Sequence, residues 1–271
     1  MKFNFKAGDN VRLRLSDREI DGTLLESSEE DIILLKLESG YNIGIRKENI
    51  LAGRILKKYK EEKENEIKIE KKDLPFVGLI ITGGTIASKL DSKTGGVKHL
   101  ADINEFSKFY PEMFDIVNIK KIEIPFMTAS ESMTFEHWSK IAKAVKEMLD
   151  DKDIRGVIVT HGTDFLGYTG AALSFFLRNL SKPVVLTYSQ RSIDRASSDA
   201  NLNLQCAARM ALGDVAEVML VGHATVDDDF CYALRGTKSR KMHSSRRDAF
   251  KSINDKPIAK VWKDRIEYLG G

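Results

Sequence analysis

Two hydrophobic patterns divide the chain near residue 75. Before this point, short runs alternate apolar and polar residues, as in Val11-Arg12-Leu13-Arg14-Leu15. Such alternation is typical of strands with one buried face. Four runs, separated by polar clusters, lie at 11–15, 19–25, 32–37 and 41–45. Their short length and regular spacing predict a small antiparallel β-barrel module over residues 1–56.

From Pro75 onward, continuous apolar runs alternate with helical patterns. The apolar runs lie at 76–81, 157–159, 184–186 and 218–221 and predict strands buried on both faces. Helical spacing of apolar residues predicts helices at 135–149, after Thr134 as N-cap, and at 170–180 and 201–212. The alternation predicts an α/β domain over 75–271 with a parallel sheet, and ligands of such sheets bind beyond the carboxyl ends of the strands.

A charged segment joins the two regions. Residues 57–73 read KKYKEEKENEIKIEKKD, in which nearly every position carries a charge. The pattern favours a solvated linker or exposed strand over 57–74, with an RNA contact as the alternative.

Composition excludes several classes of protein. The 271 residues include 43 Lys and Arg against 40 Asp and Glu, a balance that does not indicate a nucleic-acid binder. A hydrophobic fraction of 42% indicates a globular protein rather than a disordered one. No apolar run is long enough to span a membrane, and the N-terminus lacks a secretory signal. Cys206 and Cys231 lack the spacing of metal ligands, so we expect a protein of the reducing cytoplasm.

A Gly-Gly loop follows the first buried strand of the α/β region. It reads Thr-Gly-Gly-Thr-Ile-Ala-Ser over 82–88. Paired glycines let a backbone approach a ligand closely, and Thr85 adds a hydroxyl there. An ordinary strand-to-helix turn explains the same residues. The loop matches neither a Walker A motif nor GxGxxG, so nucleotide binding is not favoured.

A second polar loop follows the strand at 157–159. It places the hydroxyl of Thr163 beside the carboxylate of Asp164. The two residues fit part of a catalytic site, or simply an N-cap for the next helix. The sequence favours a structural role for His161 in this loop.

A third segment, residues 235–248, is rich in Lys and Arg. It is read as a solvated loop, as a contact for an anion or RNA, or as the carrier of a buried lysine base. A threonine nucleophile needs a neighbouring base, and that base needs a group that orients it. Thr163, Lys241 and Asp164 could fill these three roles and perform acyl transfer at an amide.

These loops, in this order, resemble the L-asparaginase family, and within it the branch that serves as D-type subunits of archaeal tRNA-dependent amidotransferases. The matching stretches lie at 82–88, 130–133, 161–164, 189–192, 197–200 and 241–250. The resemblance covers about 75–271 and implies an asparaginase-like N-terminal α/β domain. The small β module that precedes it separates this branch from free asparaginases.

The resemblance also implies roles for individual residues. Thr85 is implied as the first catalytic threonine and the usual candidate for the nucleophile. Thr163 is implied as the second, with Lys241 as its base partner. Asp164 adjoins both this network and the amino group of the substrate. Which threonine attacks stays open.

A substrate and partners follow from the same resemblance. Ser130 and Glu131 are implied to bind the α-carboxylate and amino end of glutamine. The subunit would hydrolyse the side-chain amide of glutamine and pass ammonia to an E-type partner subunit. That partner would bind ATP and Mg²⁺ and most of the tRNA, while this subunit needs no cofactor. A homodimer within a heterotetramer, with no membrane contact, is the expected assembly.

Two departures from the family pattern keep alternatives open. Family members carry a tyrosine on a lid after the first threonine, whereas residues 89–96 contain none. They also continue into a smaller C-terminal α/β domain, which we expect to be absent from this chain. The alternatives to a glutaminase subunit are therefore a free L-asparaginase and an inactive binding or assembly module with the same fold.

Overall fold

A computed structural model of the chain describes residues 5–25, 27, 31–39, 41–59, 73–90, 97–100 and 103–270. Most of the predicted linker (60–72) and most of the predicted lid (91–96) lie outside the described residues. The chain divides into two compact units. One comprises Met1–Asn65 with Leu90–Lys98, and the other Glu66–Lys89 with His99–Gly271.

The first unit contains an antiparallel sheet of five strands in the order β4-β3-β2-β1-β5. Their bounds are β1 (Asn10–Arg14), β2 (Glu19–Leu25), β3 (Ile32–Lys36), β4 (Asn42–Arg46) and β5 (Ala52–Lys57). The predicted antiparallel module is confirmed, but the prediction of four strands is wrong. The sequence pattern did not predict β5 because this strand begins with Ala52 and Gly53, residue types that are depleted in strands.

Four α-helices and twelve further strands follow in the described residues from 73 onward. The strands are β6 (Phe76–Ile81), β7 (Ser88–Leu90), β8 (Val97–His99), β9 (Asn118–Glu123), β10 (Ile154–Thr160), β11 (Val184–Thr187), β12 (Val218–His223), β13 (Cys231–Arg235), β14 (Ser239–Lys241), β15 (Phe250–Ser252), β16 (Ala259–Val261) and β17 (Ile266–Tyr268). The helices are α1 (Ile103–Phe109), α2 (Phe135–Leu149), α3 (Leu166–Phe176) and α4 (Ala200–Ala211).

The main sheet has eight strands in the order β17-β16-β13-β12-β11-β10-β6-β9. The five strands from β12 to β9 are parallel, which confirms the predicted α/β class. The antiparallel strands β13, β16 and β17 extend the sheet and were not predicted. They are three to five residues long, too short for a clear period.

Helix α2 has the predicted bounds and begins after Thr134, whose backbone N–H donates to His137 Nδ1 at 3.1 Å. Helix α3 begins four residues before its predicted start. Gly167 obscured this start because glycine usually marks a turn. In the fold it permits close packing. A Cβ on Gly167 would lie 2.9 Å from the Ser239 carbonyl oxygen, in β14.

Hydrophobic clusters cover both faces of the main sheet. Ile158 and Val185 belong to the cluster that includes residues of α4, whereas Val157 and Leu186 belong to the one that includes residues of α2 and α3. This layering leaves the carboxyl ends of the parallel strands as the place where polar loops emerge. Among the described residues, no helix is long and apolar enough to cross a membrane.

Candidate active site

The loops that carry the candidate residues leave the sheet side by side. Thr160, the last residue of β10, pairs with Ile81 of β6 on one side and Thr187 of β11 on the other. Thr82 donates to the Thr160 carbonyl oxygen through its backbone N–H (3.2 Å) and its hydroxyl (2.8 Å). The backbone N–H of His161 donates to the Thr187 carbonyl oxygen at 3.0 Å. The sheet thus fixes where each loop starts.

The loops at 82–88 and 161–164 touch through their glycines. Gly83 and Gly84 have φ angles of +116° and +82°, in the region that L side chains rarely adopt. A Cβ on Gly84 would lie 2.5 Å from the backbone nitrogen of Gly162. Only glycine permits this approach, which brings the loop of Thr85 against the loop of Thr163. Thr85 itself is half-buried and begins a short 3₁₀ helix.

Lys241 joins the second loop from the end of β14. Its Nζ lies 2.7 Å from Thr163 Oγ1 and 2.9 Å from Asp164 Oδ1. The lysine side chain is only 16% exposed, whereas the Asp164 side chain is 61% exposed. The N-cap residue of α3 is Phe165, and no side-chain capping hydrogen bond forms there. Asp164 therefore does not cap the helix, and its carboxylate accepts a hydrogen bond from Lys241 instead.

Ser130 supports the second loop. It is buried, and its Oγ accepts a hydrogen bond from the Phe165 backbone N–H at 3.2 Å. Glu131 is exposed on the same 3₁₀ turn. Within the described part of the chain, neither Thr85 nor Glu131 forms a side-chain hydrogen bond with Lys241, Thr163 or Asp164.

The hairpin β14–β15 that carries Lys241 is anchored by a buried carboxylate. Asp248 accepts hydrogen bonds from Arg246 Nε and Lys251 Nζ, each at 2.8 Å. The Arg246 guanidinium and the Lys251 ammonium hold the pKa of Asp248 well below its usual range. The Met242 backbone N–H donates to the Ala249 carbonyl oxygen at 2.7 Å and closes the loop. These hydrogen bonds therefore stabilise the hairpin that carries Lys241.

Part of the charge of the basic segment 235–248 is neutralised within the fold. Arg235 pairs with Glu217 (2.7 Å) and also with Asp255. Arg247 pairs with Asp228 at 2.7 Å. Lys238 and Arg240, by contrast, are exposed.

An open groove of about 590 Å³ adjoins the lysine. Asp164, Tyr168, Lys238, Arg240 and Lys241 are among the side chains that line it. Lys241 and Asp164 are thus reachable from solvent.

Asp199 lies directly before α4, and the sequence did not single it out as functional. Its buried carboxylate accepts the backbone N–H groups of Gln190 (2.9 Å) and Arg191 (3.0 Å). Burial raises the pKa of Asp199. The carboxylate closes the loop after β11 onto the start of α4, and its place directly before a helix was the available signal.

Comparison with known proteins gives two family matches. The Asparaginase, N-terminal family matches residues 76–270. The GatD N-terminal domain family matches residues 5–55. Among the described residues, no group of His, Cys, Asp and Glu is arranged to hold a metal ion.

Individual relatives agree with these matches. The chain is 49% identical to the D subunit of glutamyl-tRNA(Gln) amidotransferase from Pyrococcus furiosus, over 97% of this chain and 62% of that protein. It is 52% identical to the protein of the same name from Thermococcus kodakarensis, with the same coverage. The chain thus spans about 62% of the length of these relatives.

Two solved structures share the fold of the α/β unit. The thermostable L-asparaginase from Thermococcus kodakarensis matches with a TM-score of 0.63 and 32% identity, over 72% of this chain and 56% of that one. A probable cytoplasmic L-asparaginase from Campylobacter jejuni matches with a TM-score of 0.61 and 26% identity, over 72% of this chain and 57% of that one.

Proposed function

Because the chain belongs to the asparaginase family, we propose that it is the glutamine-hydrolysing part of a tRNA-dependent amidotransferase. The observation that carries the proposal is the contact of Lys241 Nζ with Thr163 Oγ1 (2.7 Å) and Asp164 Oδ1 (2.9 Å). A hydroxyl, an amine within reach of its proton and a carboxylate that orients the amine are the parts that acyl transfer requires.

The proposed reaction begins with Lys241 as a neutral amine. It takes the hydroxyl proton of Thr163 as Oγ1 forms a bond to the carbonyl carbon of the glutamine side chain. The C–N bond then breaks, and the nitrogen leaves as ammonia with the proton that Lys241 carried. Water attacks the resulting ester and releases glutamate. Each proton transfer of this type contributes roughly 10²- to 10⁴-fold to the rate.

Thr85 supplies a second hydroxyl from the facing loop. The contact between Gly84 and Gly162 brings its loop against that of Thr163, so Thr85 is the alternative nucleophile. Trapping the acyl-enzyme at low pH and locating the ester by mass spectrometry distinguishes the two. Proximity to Lys241 supports Thr163. Ser130 and Glu131 are proposed to bind the amino-acid end of the substrate.

The names of the relatives support the choice of glutamine and of a partner. These relatives are named as D subunits of a glutamyl-tRNA(Gln) amidotransferase. An E-type partner subunit would receive the released ammonia and bind ATP, Mg²⁺ and most of the tRNA, whereas this subunit needs no cofactor. The assembly would be a homodimer of this subunit within a heterotetramer, located in the cytoplasm with tRNA.

A free L-asparaginase is the second candidate. The fold match to the thermostable L-asparaginase favours it. The match of residues 5–55 to the GatD N-terminal domain favours the amidotransferase subunit instead. The third reading, an inactive assembly module, fits poorly with a Lys241–Thr163–Asp164 cluster that keeps its contacts.

Substrate preference tests the proposal. Ammonia release is measured from L-glutamine and L-asparagine with the full-length protein, with and without its partner subunit and glutamyl-tRNA. We expect preference for glutamine in the complex and stimulation by the partner. Preference for asparagine without stimulation would indicate a free asparaginase, and no release from either amide would indicate an inactive module.

A further inference from the structure

We propose that His161 is a positioning residue for the Thr163 loop, acting through the carbonyl group of Gly162. The inference rests on the proposed amide hydrolysis and adds a residue to it. His161 is fully buried, and its ring contacts the carbonyl group of Gly162 on one side and Thr169 of α3 on the other.

A chain of three hydrogen bonds connects α2 to the loop. Trp138 Nε1 of α2 donates to Thr169 Oγ1 of α3 at 2.9 Å. Thr169 Oγ1 lies 2.9 Å from His161 Nε2, and His161 Nδ1 lies 2.7 Å from the carbonyl oxygen of Gly162. Gly162 directly precedes Thr163, the residue that Lys241 contacts.

The direction of each hydrogen bond follows from the groups involved. A carbonyl oxygen can only accept, so His161 Nδ1 carries a proton. Burial lowers the pKa of His161 to about 4, so the ring is neutral near pH 7 and Nε2 has a lone pair. Thr169 must then donate its single proton to Nε2 and accept from Trp138, which can only donate. These three hydrogen bonds therefore hold the His161 ring in the tautomer with its proton on Nδ1.

This tautomer sets the plane of the Gly162–Thr163 peptide. The peptide is planar and trans, so the Thr163 N–H points away from the carbonyl group that His161 holds. A flip of the plane would break the hydrogen bond at Nδ1 and leave buried polar groups unpaired, which is costly. Rotation is also restricted because Gly84 packs on the backbone of Gly162. His161 thus orients the residue that carries the reactive hydroxyl.

His161 is not placed to act as a base. Both ring nitrogens are engaged, one by Gly162 and one by Thr169. The side chain is fully buried and therefore does not reach the substrate groove. Its expected effect is on the rate at which a bound substrate reacts, because misplacement of a reacting group by about 1 Å can cost on the order of 10²-fold.

The test compares two replacements of His161 in the full-length protein with its partner. In H161N the amide nitrogen can occupy the place of Nδ1 and still donate to Gly162, whereas H161L fills the volume without a donor. We expect kcat for glutamine to fall about 10- to 100-fold in H161L, with KM changed less than about threefold, and to recover most of the loss in H161N. Rates are normalised to the folded fraction from thermal melting.

Thr169→Val provides a milder variant, matched by Ser174→Ala as control. Both changes remove one hydroxyl from α3, and the Ser174 hydroxyl donates to the Gly170 carbonyl oxygen at 2.7 Å, outside the chain of hydrogen bonds. We expect a several-fold loss of kcat in T169V and none in S174A. If H161L does not fold, this pair carries the comparison.

Nitrogen-15 NMR of the imidazole rings tests the geometry without activity. The chain has five histidines, and the signals of His161 are those missing in H161N. We expect a neutral ring with the proton on Nδ1 from pH 5 to 9, and a changed Nε2 shift in T169V. A proton on Nε2, equal losses in H161N and H161L, or a loss fully explained by the unfolded fraction would overturn the inference. If the wild-type complex releases no ammonia, the proposed hydrolysis fails, while the NMR result still decides the hydrogen-bond geometry.

Discussion

At the scale of single residues, surroundings rather than residue type distinguish Lys241. Lys121, for example, pairs with Glu123 at 2.6 Å with its side chain 44% exposed, as surface lysines commonly do. Lys241 is 16% exposed and divides its amine between a carboxylate and a hydroxyl. A threonine hydroxyl is the group that a neighbouring base would deprotonate.

His161 allows a prediction about pH. Burial lowers the pKa of His161 from 6.5 in the unfolded chain to about 4. The unfolded state therefore binds more protons between these values, and the free energy of unfolding rises with pH in this window. The contribution of His161 is complete above about pH 6.5 and is lost as the pH falls toward 4, a change of about 3 kcal/mol.

Urea unfolding between pH 4 and 7 measures this change. In H161N the change in the free energy of unfolding between pH 4 and pH 7 should be smaller by about 3 kcal/mol, so its slope against pH is shallower. The matched control is His243→Asn, since His243 is exposed. An unchanged slope in H161N would show that His161 is not held neutral by burial.

At the scale of elements, the sequence predicted the parallel strands of the main sheet better than the antiparallel strands that extend it. The loops at 82–88 and 161–164 were visible because hydroxyl and glycine residues stand directly after apolar runs, whereas Lys241 became a candidate as part of the basic segment 235–248. The strands β13, β16 and β17 and the start of α3 were not visible, because they are short or contain glycine.

The sequence patterns did not predict contacts between segments that are distant along the chain. Asp248 is adjacent to a run of basic residues, and nothing in the run indicates that Arg246 and Lys251 close on it. The chain of hydrogen bonds from Trp138 to His161 depends on how α2 and α3 pack, which local patterns do not specify. Roles that arise from packing, such as positioning, therefore appear only with the fold.

The contact between the two loops leads to a prediction for Gly84→Ala. Its Cβ would lie 2.5 to 2.8 Å from the backbone of His161 and Gly162, and its φ of +82° is unfavourable for alanine. The control Gly270→Ala has a similar φ of +76° but no atom within 4 Å of the new Cβ. The φ penalty of roughly 1–2 kcal/mol applies to both.

We expect G270A to lose only this penalty and to keep its activity. G84A should be less stable than G270A and should lose ammonia release, because the loops of Thr85 and Thr163 are pushed apart. Thermal melting and the ammonia assay measure both effects. Equal stability and activity of the two variants would show that the loops do not need their close approach.

At the scale of the whole molecule, each compact unit has a hydrophobic core of its own. The core of the first unit includes Val11, Leu13 and Leu35. The cores of the second unit lie on the two faces of the main sheet. Among the residues that the structure describes, none belongs both to the first core and to either of the other two. The separation agrees with two family matches that cover different parts of the chain.

Separate cores predict separate unfolding transitions. Leu13→Ala and Ile158→Ala each remove a fully buried side chain, one from each unit. Each change should cost roughly 2–5 kcal/mol in its own unit. Calorimetry should show that L13A lowers the midpoint of one transition and I158A that of the other. A single transition, shifted by both changes, would contradict the independence of the two cores.

In the proposed reaction, Lys241 and Thr163 form the reactive pair of an amide hydrolase. This pair is tested by the rate of ammonia release from glutamine by the full-length protein with the proposed partner subunit, with Lys241 replaced by methionine. The control is Lys260→Met, since Lys260 lies on β16 near the ring of Phe230 and outside the site. We predict a loss of roughly 10²- to 10⁴-fold in K241M, with an unchanged melting temperature, and no loss in K260M. Wild-type release of ammonia by K241M would contradict the account.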